Sequence, residues 1–316
     1  MSLRNTAITT MLLVAAGLAV PGQLGAAELN CRSVEFVVPT GAGGGTDVMA
    51  RSLALGFEKA SGLPTQVINV SGGNGIVGKE EVQGRPADGC SLLAITLDYV
   101  IFEASGIKAA SLASVTPVYR AHADLGFLHA GTGGNIKSWN DARTKAESED
   151  SILIGGLGTG SFDQAAIDIM LKDADIDYRY VPYNNPGEMH ADLIGGRLDL
   201  MYEEMGVAAP LIEGNKITPV VVAYEERIAA YPDVPTAKEV GLTVSPPIWR
   251  GVAVHENTPA DIVAMLEQFM SEAAKTEAYV EFAKQRGLDI IDGALMSEAF
   301  AESIEKQRVL FTETLQ

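Results

Sequence analysis

Positive charge is scarce in this sequence. Its 23 lysines and arginines face 41 aspartates and glutamates, leaving a formal net charge of −18. No groove on such a chain can neutralise a run of phosphates, which argues against nucleic acid as a partner. Nor is there a polybasic face for an anionic membrane surface. Histidines are few, at positions 122, 129, 190 and 255, and show neither paired spacing nor a thiolate cluster beside them. That pattern gives no zinc site, and no alternating acidic loop is present for calcium. The Gly-Lys-Ser/Thr triplet of a nucleotide P-loop does not occur. No cofactor and no metal are therefore expected. After residue 27 no apolar run reaches the ~20 residues that span a bilayer.

What remains points to export. Arg4 supplies a positive start, Ile8 to Val20 is apolar, Pro21-Gly22 breaks the run, and Gly25-Ala26-Ala27 offers small residues for cleavage. Residues 1–27 read as a secretory signal, against a membrane anchor, for which the run is short, and a lipoprotein, for which Leu29-Asn30-Cys31 is a poor context. Two cysteines remain, Cys31 and Cys90. An even count in an oxidising compartment favours a disulfide over two free thiols. Cys31 precedes the apolar run Val34–Val38 and Cys90 opens Ser91–Thr96, so the pairing suits two parallel neighbouring strands.

The mature length suits two domains, and an apolar content of 47% is ample for two cores. Val34–Val38 ends at Pro39, and the turn Thr40-Gly41-Ala42-Gly43-Gly44-Gly45 leads into a segment of helical period from Thr46 to about Ala60. Backbone without Cβ approaches a ligand closely, and a helix start aims unpaired N–H groups and a positive dipole end at the same spot. The pair makes an anion site, most naturally for a carboxylate or phosphate. Thr65–Val70, Ile76–Gln83 and Ser91–Thr96 continue as strand, helix and strand, implying a parallel sheet with right-handed crossovers. A second α/β half opens similarly. Strand Ser151–Gly155, the loop Gly156-Leu157-Gly158-Thr159-Gly160-Ser161 and helix Phe162–Leu171 are followed by strands at Tyr178–Tyr183, Leu198–Tyr202 and Thr218–Ala223. From Pro259 onward the pattern is helical and core-facing. The chain is read as domain 1 (28–122 with 252–316) and domain 2 (123–251), joined by short hinge strands near His122–Gly126 and Trp249–Val252, with the ligand between them.

Several runs together resemble the solute-binding proteins of tripartite tricarboxylate transporters, the Bug family. They are V-V-P-T-G-A-G-G-G-T-D-V-M-A-R from Val37, N-V-S-G-G-N-G-I-V-G with R-P-A-D-G-C-S-L-L, and G-L-G-T-G-S. V-P-Y-N-N-P-G-E-M-H-A-D-L-I-G-G-R-L-D-L, Y-P-D-V-P-T-A-K-E-V-G-L and W-R-G-V-A-V-H-E-N-T-P follow in the family's order. The resemblance implies a two-lobed periplasmic-binding-protein fold of type II-like kind, monomeric, with parallel or mixed sheets flanking a cleft. It implies capture of a small carboxylate, an organic acid or an amino-acid-like solute. Delivery would be to membrane transporter subunits or a sensor ectodomain. Carried across, the ligand residues are Gly43, Gly44, Thr46 and Asp47 in one lobe and Thr159, Gly160 and Ser161 in the other, with Asn74 and Gly75 lining the same cleft. Cys90 and His255 depart from the family pattern, as does the pair Glu203-Glu204. Glu203, at a strand's C-terminal end, is a candidate to meet a cationic group on the solute. Selection among carboxylates is expected from loops around Asp98-Tyr99 and Glu203.

Two other readings compete. A Rossmann cofactor domain would need a third spaced glycine and an acid ending the second strand, which closes instead on Asn69-Val70-Ser71. A secreted serine hydrolase could use Ser161 with His122 or His190 as base. However, Gly158-Thr159-Gly160-Ser161-Phe162 is not the Gly-x-Ser-x-Gly elbow, and a serine there is an ordinary helix N-cap.

Overall fold

A computed structural model describes residues 29–149 and 151–315. The expected signal over residues 1–27 lies outside the described residues. The chain runs β1 (Val34–Val38), α1 (Gly45–Ser61), β2 (Thr65–Asn69), α2 (Ile76–Gln83), β3 (Ser91–Thr96), α3 (Asp98–Ala104) and β4 (Val115–Asp124). It continues through β5 (Gly126–Gly131), α4 (Trp139–Glu149), β6 (Ile152–Leu157), α5 (Phe162–Leu171), β7 (Tyr178–Tyr183), α6 (Pro186–Ile194), β8 (Leu200–Glu204), α7 (Met205–Glu213) and β9 (Ile217–Val222). It ends with β10 (Ile248–His255), α8 (Ala260–Ala274), α9 (Glu277–Gln285), β11 (Leu295–Met296) and α10 (Ser297–Leu315).

Two mixed sheets result. The six-stranded sheet has the order β11-β4-β10-β3-β1-β2, and the five-stranded sheet the order β7-β6-β8-β5-β9. β1 lies between parallel partners β2 and β3. A strand covered on both faces reads as a nearly unbroken apolar run, and Val34, Phe36, Val37 and Val38 are all fully buried. α1 lays Met49, Ala50, Leu53, Ala54 and Phe57 on the core at helical spacing. Gly62 stops it in the left-handed conformation, φ 72°, and donates its N–H to the Glu58 carbonyl.

Cys31 and Cys90 form a disulfide with a Cα–Cα distance of 5.6 Å. It ties together the N-terminal ends of β1 and β3, where the Glu35 N–H donates to the Cys90 carbonyl at 2.9 Å. Closing a separation of 59 residues restricts the unfolded chain by about 4 kcal/mol in the chain-entropy picture.

The first sheet is mixed, as the expectation of parallel or mixed sheets allowed, with β10 and β11 running against the other four strands. β10 runs antiparallel between β3 and β4, pairing Arg250 with Thr96 on one side and with His122 on the other. Along this strand Trp249 and Arg250 point to opposite faces. Trp249 is fully buried, stacks edge-on against Phe300 of α10 at 4.9 Å between ring centroids, and donates its indole N–H to Gln307 at 2.6 Å. That anchor aims the next side chain, Arg250, at the other face. Two segments expected to be loops are ordered: Asp98-Tyr99 opens α3, and Glu203-Glu204 completes β8. The chain leaves the first sheet at Leu125, between β4 and β5, and re-enters it at Ile248. α8 packs on α1 and β4, while α10 packs on β4 and α3.

Candidate functional site

The C-terminal ends of the parallel strands and the entering ends of their antiparallel neighbours converge between the two sheets, where open α/β sheets place ligands. There they enclose a cavity of about 280 Å³, the volume of roughly nine liquid waters at ~30 Å³ each. Gly45, Asp98, His122, Asp124 and Arg250 line it from the first sheet and its helices. Ser161, Asp163, Glu203, Glu204 and Gly206 line it from the second. Phe282, Arg286 and Leu288, from the end of α9 and the turn after it, complete the wall.

The glycine turn before α1 is organised by Asp47. Its carboxylate accepts the Gly43 N–H at 2.8 Å, both Arg51 nitrogens at 2.9 and 3.0 Å, and the Asn69 amide at 2.9 Å. The Arg51 bonds chiefly hold the Asp47 carboxyl at a pKa of about 2, below its ordinary 3.8. Asp47 and Gly43 are thus engaged with each other. Val48 makes the first intrahelical bond, to the Gly44 carbonyl. The N–H groups of Gly45, Thr46 and Asp47 consequently have no acceptor within the helix. Gly45 is the residue of this turn that reaches the cavity. A Cβ on it would lie 3.1 Å from the Arg250 guanidinium, so the glycine lets the arginine pack close beneath the helix start and a side chain there would press on it.

In the second lobe Ser161 caps α5, accepting the Gln164 N–H at 3.4 Å, and its hydroxyl lies 3.3 Å from the Gly158 carbonyl and 3.5 Å from the Tyr180 hydroxyl. The Gly160 N–H donates to Gln164 at 2.9 Å, and Thr159 is exposed at the tip. The histidines considered as bases are occupied elsewhere. His122 shares a hydrogen bond with Tyr279 at 2.9 Å and His190 one with Glu203 at 3.1 Å. Asn74 and Gly75 face a neighbouring cavity, with Asp98 as the wall common to both. Gly75 has φ 88° and its carbonyl accepts the Tyr99 hydroxyl at 2.7 Å.

The charge of the cavity is unusual. Five carboxylates, Asp98, Asp124, Asp163, Glu203 and Glu204, face two arginines, Arg250 and Arg286. Burial pushes the Asp98 carboxyl up, and pushes Asp124, Asp163 and Glu203 well up, with Glu204 adding repulsion to each. Burial drives His122 well down, with Arg250 as the next cause. Asp163 accepts the Leu157 N–H at 2.7 Å, and Glu203 accepts the Glu204 N–H at 3.2 Å as well as bonding His190. By contrast, the Arg250 side chain makes no hydrogen bond or ion pair among the described residues, and its Nε is buried without a partner. Asp124 Oδ1 is likewise buried and unpartnered.

A pH effect follows. Because the Asp124 pKa is raised, its favourable share of stability is complete below the ordinary 3.8 and is lost as pH rises through the folded value. Glu204 from β8, Arg250 from β10, Arg286 beyond α9, and Asp98, Asp163 and His122 face it. Asn at 124 has no such loss. Asp124→Asn is expected to melt above the wild type at about pH 8, with the difference shrinking toward about pH 4; a difference that does not change with pH would contradict this assignment.

The sequence model described as "Tripartite tricarboxylate transporter family receptor" matches residues 49–310. The chain belongs to that family. The receptor is 25% identical to Protein BugT of Bordetella pertussis, over 98% of this chain and 97% of that one. Among solved structures it is similar to a TctC solute-binding protein from Polaromonas (TM-score 0.79, 22% identity, covering 90% of this chain and 98% of that one). It is also similar to MatC from Rhodopseudomonas palustris with bound malate (TM-score 0.73, 25% identity, 91% and 100% coverage). Motif reasoning drew attention to the glycine loops and to Glu203 in this receptor. Glu204 was marked only as part of the unusual pair Glu203-Glu204, and Arg250 and Asp124 escaped it, although the arginine between Trp249 and Gly251 was a visible signal in a chain so poor in positive charge.

Proposed function

We propose that this receptor is an exported periplasmic protein that closes its lobes over a small carboxylate and hands it to a tripartite membrane transporter, without a chemical step. The lobes are residues 28–122 with 252–316, and residues 123–251. The observation that carries this is Arg250: an unpaired guanidinium, packed under the first turn of α1, in a cavity that the start of α5 also reaches. Its planar fork matches a carboxylate, and each helix start adds ~1 kcal/mol for an anion. In this reading Gly44 and Thr46 present backbone N–H groups while Asp47 holds Gly43 and the loop in shape. Ser161 aims the opposite helix, and Thr159 and Gly160 form its approach. Asn74, Gly75 and Asp98 bound the far side, and Glu203 sets His190. MatC, whose structure holds malate, supports a solute of that size.

The test is a thermal-shift screen of residues 28–316 against organic acids, amino acids and sugars. A bound carboxylate at a hundred times its dissociation constant is expected to add about 2.7 kcal/mol. No shift with any acid, together with ester turnover that depends on Ser161, would replace the receptor by the hydrolase.

A further inference from the structure

The carboxylates of the cleft are too many for a site that receives only an anion. Of the five, three have their oxygens engaged. Asp98 accepts the Thr96 hydroxyl at 2.9 Å, Asp163 accepts the Leu157 N–H, and Glu203 is held between His190 and the Glu204 N–H. Two stand apart. Asp124 is only 6% exposed, and its Oδ1 has no partner. Glu204 is 9% exposed, and its carboxyl meets that of Glu203 beside it, where the two charges repel. The two come from different sheets: Asp124 ends β4, Glu204 ends β8, and both line the cavity. A buried carboxylate oxygen without a partner is costly, as are two adjacent buried acids, and both in a cavity with an unpaired guanidinium describe a charge pattern awaiting its complement.

We propose that the solute carries a cationic nitrogen as well as its carboxylate, and that Asp124 and Glu204 receive the cation while Arg250 receives the carboxylate. The proposal rests on the receptor reading above and narrows its ligand class. The repulsion that Glu204 exerts on Asp98, Asp124, Asp163 and Glu203 is what such a cation would relieve. Among the described residues no three of these acidic groups, with or without the histidines, approach closely enough to hold a metal ion. The complement is therefore an organic ammonium, whose three N–H groups donate to both carboxylates without needing three converging ligands. Because Asp124 ends a strand of the first sheet and Glu204 a strand of the second, a cation between them also ties the two sheets together at the cleft, a link that a plain acid cannot supply.

Calorimetric titration of residues 28–316 with matched probes tests this: L-aspartate against succinate, L-glutamate against glutarate, and γ-aminobutyrate against butyrate. In at least one pair the amine-bearing member is expected to bind about tenfold tighter or more. In Asp124→Asn and Glu204→Gln that member is expected to weaken by about tenfold, while its deaminated counterpart tightens because a repelling carboxylate has gone. Opposite movement of the two probes separates recognition from misfolding, which would lower both. Deaminated acids that bind as well as, or better than, their amines in the wild type would overturn the cation while leaving the carboxylate receptor intact. Movement of both probes in the same direction in both variants would do so too. Binding of no member of any pair would overturn both readings.

Discussion

Arg250→Ala is expected to weaken carboxylate binding on the order of a hundredfold, because two charge-assisted hydrogen bonds of ~1.5 kcal/mol or more are lost together. The size of the effect comes from the surroundings. Gly45 permits the guanidinium to lie under the first turn of α1, and Trp249 fixes the backbone on which it stands. No protein group hydrogen-bonds the guanidinium among the described residues, although Asp98, Asp124 and Asp163 lie within its field. A ligand carboxylate would meet a preorganised fork and a helix start at once. Arg250→Lys keeps the charge but loses the planar fork, so roughly a tenfold loss is expected instead. The measurement is titration of each variant with the acid giving the largest thermal shift in the wild type. Since removal of Arg250 leaves Arg286 as the arginine facing five carboxylates, melting curves should accompany it, and the lysine variant controls for charge. An alanine variant that binds like the wild type would remove Arg250 from the site.

Gly206→Ala is expected to separate the lobes. Gly206 stands in the first turn of α7, on the second lobe, facing the turn that follows α9 on the other side of the cavity. A Cβ there would overlap the Arg286 carbonyl oxygen, and would lie 2.8 Å from its carbonyl carbon and 3.0 Å from its Cα. All three are backbone atoms, so no rotamer change relieves the contact. The remedy open to the molecule is for α9 and α7 to move apart, which widens the cleft. Strand pairing within each sheet is untouched, but one buried apolar cluster runs across both sheets, so the melting temperature without ligand should fall as well. Affinity should fall by about tenfold or more, because the closed state that the ligand favours becomes less populated. Small-angle scattering at saturating ligand should show a larger radius of gyration than for the wild type. Equal compaction and equal affinity would mean that this contact takes no part in closure.

Much of the architecture was legible because it is local. The run V-E-F-V-V, the glycine turn and the period of α1 each follow from a few adjacent residues, as do α2, β3, α5 and β7. Strands β4 and β5 were harder. β4 contains Pro117 and alternates polar with apolar residues, and its pairing with β10 shifts register between Val252 and Ala253, opposite that proline. A proline at a bulge is compatible with a strand, but nothing in the adjacent residues announces it. Glu203-Glu204 were expected just past a strand ending at Tyr202, whereas they complete β8 and are buried against the cavity between the sheets.

The sequence by itself determined the family, the two α/β halves, the glycine loops that open them and the pairing of Cys31 with Cys90, because each rests on nearest-neighbour chemistry or on motifs in fixed order. Only the tertiary structure decided that Arg250, Asp124 and Glu204 share one small cavity. That meeting depends on an antiparallel β10 inserted between β3 and β4, and on a second sheet facing the first. These are long-range pairings, whose register no local pattern encodes.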